Sequence, residues 1–523
     1  MAKSHLVVIT AALVAIVSVL HPHTSSAEMS VSVTPSNMPR LATVDARYQS
    51  YNIEMVEVTG GRFWKPYGTP TRSNGSLSGQ SNIPGGMDPD LYAYRPPIDL
   101  ANPKLRKLAA ALGPAYLRVS GTWANTTYFA ESDHAPSLPP AGFNGVLSRQ
   151  QWKGVVEFAA AVDAKIVTSM AISPGVRNVS GVWTPDQAKR LIEFTRSAGG
   201  DIAAAEFMNE PTLAAMGGAP KGYDAAAYGR DFKVFKVFAR QAAPNMIILG
   251  PGSVGEIADS ADHHGSEGVI ATRDMLLQSG RGIDAFSYHH YGAVSLRCAG
   301  GMRPEAALSE EWLASTDQML AFSRNLRDAF EPGKPMWLTE TADAACGGNP
   351  WGSTFLDTFR YLDQLGRLAK AGVQVVMHNT LAASDYGLLD ETTLTPRPNY
   401  WGALLWRKLM GATVLDAGVS IAAGQHVYAH CQRGTPGGVT LLVINNDRTA
   451  HMLETTLAGK RYTLSAEPLE SGDVKLNGKV LRLGDNDDIP SLEGAATAAG
   501  AVGFAPATIT FLTLERAGND ACR

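Results

Sequence analysis

The chain has 523 residues, 45% of them hydrophobic and 18% charged, the composition of a globular protein long enough for a large barrel and a second module. Its formal net charge is −4 and it contains no long basic run, which argues against nucleic acid or an anionic membrane surface as a partner.

In chain order, Lys3 and His5 precede an apolar stretch from Leu6 to Leu20, and Ser25-Ser26-Ala27 offers small residues for cleavage. That stretch is short for a membrane span. Residues 1–27 therefore read as a signal peptide, with a retained anchor as the other reading. The expected mature chain is secreted or periplasmic, with no membrane insertion after cleavage. Residues 28–49 hold the strand-like "SVSVTP" (30–35), expected to add an edge to a sheet formed much later in the chain.

From 50 to 411, short apolar strands alternate with amphipathic stretches. Eight candidates occur: 51–55, 115–121, 165–173, 202–210, 246–254, 283–291, 335–341 and 373–379. Between two of them, "TPDQAKRLIEFTRSAG" (184–199) places Thr184 as an N-cap and Pro185 as the first helical residue. Residues 131–148, rich in Pro, Gly, Ala and Ser, read as a loop. Eight nearly continuous apolar strands separated by helices predict a parallel sheet covered on both sides and closed into a (β/α)8 TIM barrel. From 412 to 523 the texture changes to short strands with turn chemistry, including Asn477-Gly478, which predicts a C-terminal antiparallel β-sandwich domain.

The four cysteines allow three pairings. Cys431 and Cys522 both lie in the C-terminal part and Cys298 and Cys346 in loops after two candidate strands, so Cys298–Cys346 and Cys431–Cys522 are expected. No spacing typical of a zinc site occurs, and no metal is expected.

Chemistry in such a barrel sits at the C-terminal ends of the strands. Two carboxylates each end an apolar strand there: Glu210, in Asn209-Glu210-Pro211 on the fourth, and Glu340, in Thr339-Glu340-Thr341 on the seventh. A lone glutamate at a strand end is more often a cap or an ion-pair partner. Two on one rim are what glycoside cleavage needs, one to protonate the departing oxygen and one to attack the sugar. A retaining enzyme holds the pair roughly 5–5.5 Å apart. Glu206 shares a strand face with Glu210 and lies deeper, which suggests a structural ion pair. His289 and His290 are adjacent and point to opposite faces. His289, on the face of Tyr291, is the one expected at the barrel mouth, and His290 is read as structural.

"KLRKLAAALGPAYLRVSGT" (104–122), "FMNEPT" (207–212), "IDAFSYHHY" (283–291), "MWLTETADAACGG" (336–348) and the long stretch 372–415 together resemble glycoside hydrolase family 79, the heparanase and β-glucuronidase family within the clan of retaining (β/α)8 glycosidases. The resemblance covers most of the barrel. It implies Glu210 as acid/base, Glu340 as nucleophile, Asn209 as a donor to the sugar 2-hydroxyl and Tyr291 as a partner of the nucleophile, with rim packing as the alternative for Tyr291. It also implies a uronate carboxylate held by Tyr386 and by backbone amides of a glycine-rich loop, here Gly347 and Gly348. Cys346 stands where heparanase-like members carry a further glycine. Glu54 matches a residue that contacts a sugar hydroxyl and is Asp in those members; Thr122 could line the same pocket or cap a turn. The implied substrate is a glucuronic-acid-containing carbohydrate, with no cofactor. The lack of a basic run points to short or weakly sulfated substrates. A relative acting on neutral β-glycosides and a carbohydrate-binding protein without catalysis remain as alternatives. Sequons start at Asn74, Asn125 and Asn178.

Overall fold

The computed structural model describes residues 31–68, 83–256 and 269–523. The expected signal peptide and Asn74 lie outside them. Eight parallel strands close into a barrel: β1 (Gln49–Glu54), β2 (Ala115–Ser120), β3 (Ala164–Ser169), β4 (Ile202–Glu206), β5 (Ile247–Ser253), β6 (Ala285–Val294), β7 (Met336–Ala345) and β8 (Val375–His378). Each pairs with its neighbours in sequence order, and β8 closes on β1. The strands are buried on both sides, which is why they read as continuous apolar runs. Their ends differ from expectation in two places that matter: β7 runs on to Ala345, so Glu340 lies within the strand and not at its end, and the other place is β4. β4 stops at Glu206, four residues before Glu210, so the two glutamates do not share a strand face. The helix Asp186–Ser197 is capped by Pro185 rather than by Thr184, whose hydroxyl instead donates to the Val176 carbonyl at 3.1 Å. The stretch 131–148 includes one short strand, Gly145–Leu147.

Beyond the barrel come β9 (Met410–Leu415), β10 (Gln425–Gln432), β11 (Val439–Asn445), β12 (His451–Thr455), β13 (Gly459–Ser465), β14 (Gly500–Phe504) and β15 (Thr508–Leu514). Arg40–Thr43, β9, β10, β11, β15 and β13 run side by side as an antiparallel sheet, while Val31–Val33, β12 and β14 form a second, three-stranded sheet. Val427 and Ala429 of β10 and Val439, Leu441 and Val443 of β11 point into the space between the two sheets, where Leu453, Val502 and Phe504 meet them. The alternate residues Tyr428, Leu442 and Ile444 pack against the barrel. The period of two along each strand thus covers both faces of the larger sheet. Cys431–Cys522 ties β10 to the C-terminal turn, with Cα atoms 5.2 Å apart, and Cys298–Cys346 joins the segments after β6 and β7 at 6.4 Å. No helix among the described residues is long and apolar enough to cross a membrane.

One polar knot fastens the sandwich to the barrel. His426 on β10 meets Asp363 through Nδ1 and Glu310 through Nε2 (2.7 Å); Tyr428 donates to Asp363, and Arg367 binds Asp363, Glu310 and Asp317. Burial opposes the imidazolium, but the two carboxylates outweigh it and raise the His426 pKa above its ordinary 6.5. The folded state therefore binds this proton more tightly than the unfolded chain does. The resulting stabilisation is complete below pH 6.5 and is lost as pH climbs through the raised native value. His426→Gln should lower the thermal midpoint more at about pH 6 than at about pH 9. A loss that is equal at both, followed by calorimetry, would rule out a charged histidine here.

Candidate active site

The barrel interior is built in layers. At the bottom, Tyr116, Val167, Ala204, Leu249, Trp337 and Val375 form an apolar plug, with the rings of Tyr116 and Trp337 4.8 Å apart. Two residues further along β2, β4 and β7, the same inward face carries Arg118, Glu206 and Thr339. Arg118 is fully buried and its guanidinium holds the layer together. It donates through Nη1 to Glu340 Oε2 (2.7 Å) and through Nη2 to Glu206 Oε2 (2.9 Å) and Asn209 Oδ1 (2.7 Å). Thr339 Oγ1 donates to the other Glu206 oxygen at 2.7 Å. Burial would raise the Glu206 carboxyl pKa, but Arg118 and His289 outweigh it and hold the group ionised well below the usual range. The structural ion pair expected for Glu206 is therefore present, and its partner is Arg118.

After β4 the chain turns sharply. Glu210 adopts φ 47° and ψ 63°, a left-handed conformation uncommon for a side chain of this kind. The turn is held by Asn125, whose carboxamide accepts from the Asn209 N–H (2.9 Å) and donates to the Asn209 carbonyl (3.0 Å). Asn125 is wholly buried, so the sequon there offers no site for a glycan. His289 Nδ1 lies 3.1 Å from Glu210 Oε1 and 3.7 Å from Glu340 Oε2. Burial favours neutral imidazole, but Glu340, Glu206 and Glu210 prevail and raise the His289 pKa to about 9. His289 is completely buried behind the carboxylates, so it orders them rather than lining the cleft. His290 points the other way. Burial and the Arg360 charge lower its pKa to about 3, leaving it neutral and structural.

The two carboxylates Glu210 and Glu340 are pushed apart electrostatically. Burial and the neighbouring Glu340 charge raise the pKa of Glu210, a shift that the hydrogen bond from His289 only partly offsets. Glu340 feels the same burial, but His289, Arg118 and the Tyr291 hydroxyl overcome it and lower its pKa. Tyr291 Oη donates to Glu340 Oε1 at 2.6 Å. An oxygen of Glu210, a nitrogen of His289 and an oxygen of Glu340 all lie within 4.8 Å of one another. That closeness fits the shorter separation of a retaining pair. These three are also the one histidine–carboxylate group, among the described residues, close enough to hold a cation. Arg118 and His289 already supply positive charge at that point.

Above them opens a cleft of about 510 Å³ lined by Glu54, Thr122, Glu210, Tyr291, Glu340 and Tyr386, among others. Asn379 reaches three acceptors through Nδ2: Glu54 Oε1 (3.0 Å), Tyr291 Oη (3.1 Å) and Tyr386 Oη (3.2 Å). Burial, then the Glu340 charge, raises the Glu54 carboxyl pKa well above the usual range. Glu54 fits only because residue 121 is glycine: a Cβ there would stand 1.4 Å from its Oε2. Gly347 and Gly348 fall outside the cleft lining. A Cβ on Gly347 would meet Arg297 at 2.1 Å, and the Gly348 N–H is spent on the Ala344 carbonyl at 3.2 Å, so Cys346 forms the wall at that point. Arg297 runs beneath it, donating to the Cys346 carbonyl (2.7 Å), pairing with Asp385 and stacking 4.0 Å from the Tyr67 ring. The sequence reading missed Arg118 and Arg297. The signal for Arg118 was an arginine inside an apolar strand, where a charge needs a buried partner. Replacing Arg118 by Met should move the acidic limb of kcat/KM to higher pH, because Glu340 loses a charge that keeps it ionised. It should also cost about 3–5 kcal/mol of stability by stranding Glu206. A pH–rate profile with an unmoved acidic limb would refute the first expectation.

No protein-family model matches the chain. Mouse heparanase is 28% identical over 81% of this chain and 88% of its own length. Hyaluronoglucuronidase of Hirudo nipponia is 26% identical over 82% and 92%, and heparanase-like protein 1 of Arabidopsis thaliana 25% over 81% and 86%. Among solved structures, a 4-O-α-L-rhamnosyl-β-D-glucuronidase from Fusarium oxysporum superposes with TM-score 0.58 at 14% identity, covering 93% of this chain and 99% of its own. An α-L-arabinofuranosidase from Thermotoga maritima gives 0.61 at 13%, covering 92% and 99%. At such identities the structures speak for the fold alone, the barrel and sandwich of TIM-barrel glycosidases. In sequence and in fold together, the chain is a homologue of the heparanases and heparanase-like proteins.

Proposed function

We propose that this protein is a retaining β-glucuronidase of the heparanase-like type, a member of glycoside hydrolase family 79. The observation that carries the reading is the opposed displacement of the two carboxyl pKa values, Glu210 upward and Glu340 downward, at a separation suited to double displacement. Glu340, ionised, attacks the anomeric carbon while Glu210 gives its proton to the departing oxygen. Ester formation removes the Glu340 charge, which is one of the two causes that raise Glu210. Glu210, left as a carboxylate by that proton transfer and no longer facing the Glu340 charge, has a lower pKa and takes a proton from the water that cleaves the ester, which restores its protonated form. Asn209, with its carboxamide oxygen committed to Arg118, keeps its N–H pair for the sugar 2-hydroxyl. Glu54, its pKa raised, offers its carboxyl group to another hydroxyl, and Tyr386 a donor to the uronate carboxylate. Double displacement by these residues calls for no metal or organic cofactor. The two disulfides favour an oxidising compartment, in keeping with export through the N-terminal segment.

Glu340→Ala should reduce release of 4-nitrophenol from its β-glucuronide to background, and azide should restore turnover with an inverted product, read by proton NMR of the anomer. Glu210→Gln should lower kcat/KM on an alkyl glucuronide by about 10²–10⁴-fold and remove the basic limb of its pH profile. That limb belongs to a group with a raised pKa that must be protonated, so activity is lost as pH rises past it. Wild-type rates from either variant would end the assignment. Tyr386→Phe should impair hydrolysis of the β-glucuronide more than that of the matched β-glucoside or β-xyloside. An equal loss on all three would favour a neutral-glycoside enzyme, and binding without hydrolysis by the unmodified protein a carbohydrate-binding role.

A further inference from the structure

The half of the cleft that receives the departing group is apolar. Leu213 and Met216 lie three and six residues after Glu210, on the same turn that carries it, and face the cleft with Val254, Met87, Trp64 and Trp123. The acid/base sits next to the leaving oxygen by necessity, so the side chains that follow it in the chain are the first that an aglycone meets. The two tryptophans are braced. Trp64 stacks on Tyr92 with ring centres 4.5 Å apart and meets Trp123 edge-on at 6.5 Å, and Trp123 also packs on Phe63 at 5.1 Å. No lysine or arginine lines the cleft among the described residues, whereas the exposed Asp88 does.

We propose that the enzyme's preferred substrates are glucuronides of apolar or aromatic alcohols, not sulfated glycosaminoglycan chains. The inference rests on the glucuronidase reading and concerns only what the glucuronic acid is attached to. A sulfated sugar placed against Leu213, Met216 and Val254 loses water from its hydroxyls without gaining a hydrogen bond, which opposes binding. Among the described lining residues its sulfates meet no lysine or arginine to compensate, and Asp88 repels them. An aromatic or alkyl group loses only unfavourable hydration at the same surface, and an aromatic ring also stacks on the fixed faces of Trp64 and Trp123. A neutral sugar would use the tryptophans but not the aliphatic wall, so the aliphatic residues are what separate the two ligand chemistries.

The test compares kcat/KM of the full-length enzyme for three β-glucuronides: ethyl, 3-phenylpropyl, and one linked to 6-O-sulfo-N-acetylglucosamine. The two alcohols have similar acidity, so their ratio reports contact with the wall rather than leaving-group chemistry. The phenylpropyl compound should exceed the ethyl by about 10-fold or more, the range expected for added apolar contact in a pocket. It should also exceed the sulfated disaccharide. Met216→Lys and, independently, Leu213→Gln should each shrink the phenylpropyl-to-ethyl ratio several-fold. A sulfated disaccharide cleaved faster than the phenylpropyl glucuronide, or a ratio near one that neither variant alters, overturns the proposal. If none of the three glucuronides reacts and a β-glucoside does, the glucuronidase reading has failed. The same ratio measured on ethyl and phenylpropyl glucosides then decides the aglycone question by itself.

Discussion

The layer beneath the cleft depends on the buried guanidinium of Arg118. It is enclosed in the barrel, and it bridges a carboxylate from β4, the Glu340 carboxylate of β7 and the carboxamide beside Glu210. A guanidinium suits this place because its planar fork can serve several acceptors at once while staying charged. Without it, Glu206 and Glu340 would face each other across an apolar plug with only His289 between them. With it, the charge of Glu206 is balanced and Glu340 is kept ionised. The ion pair that reads as scaffold and the group that reads as reactive are thus parts of one charge balance.

That balance also explains why the neighbouring carboxyls behave differently. Glu340 has two cations, His289 and Arg118, and a phenol acting on it, whereas Glu210 has a histidine and the repulsion of Glu340, and Glu54 has an amide and the same repulsion. The three are buried to a similar degree, so burial alone cannot rank them. The charges of His289 and Arg118 do. The apolar wall beyond Glu210 strengthens the contrast, since it keeps water from screening the charges on that side.

Much of this was legible from the residues. Apolar strands recurring between amphipathic helices announced the closed barrel, because strands covered on both sides have no polar face to alternate. The change to short strands after 411 announced the sandwich. Glu210 and Glu340 stood out as carboxylates closing apolar runs, and Tyr291 followed from the family resemblance. What was not legible depends on local geometry or distant packing. The left-handed turn at Glu210 is imposed by Asn125, 85 positions earlier, and no pattern in Asn209-Glu210-Pro211 reveals that β4 has already ended. His289 looked like a cleft residue because strand alternation gives direction but not depth. Gly347 and Gly348 suggested free amides, yet their small size serves Arg297 and Tyr386, which pack where side chains would have been.

The short strand Val31–Val33 pairs in parallel with Leu453–Thr455, and Arg40–Thr43 pairs with β9. Among the first described segments to leave the ribosome, these two find their partners only after some four hundred further residues have been made. The barrel strands, by contrast, each pair with the next one synthesised, until β8 returns to β1. Synthesis therefore delivers a barrel that can assemble stepwise while its leading segment is left waiting, with its edge unpaired. The sandwich is the last part to close. Completing it sets early and late segments of the described chain side by side, so the sandwich, unlike the barrel, cannot form from neighbours in sequence.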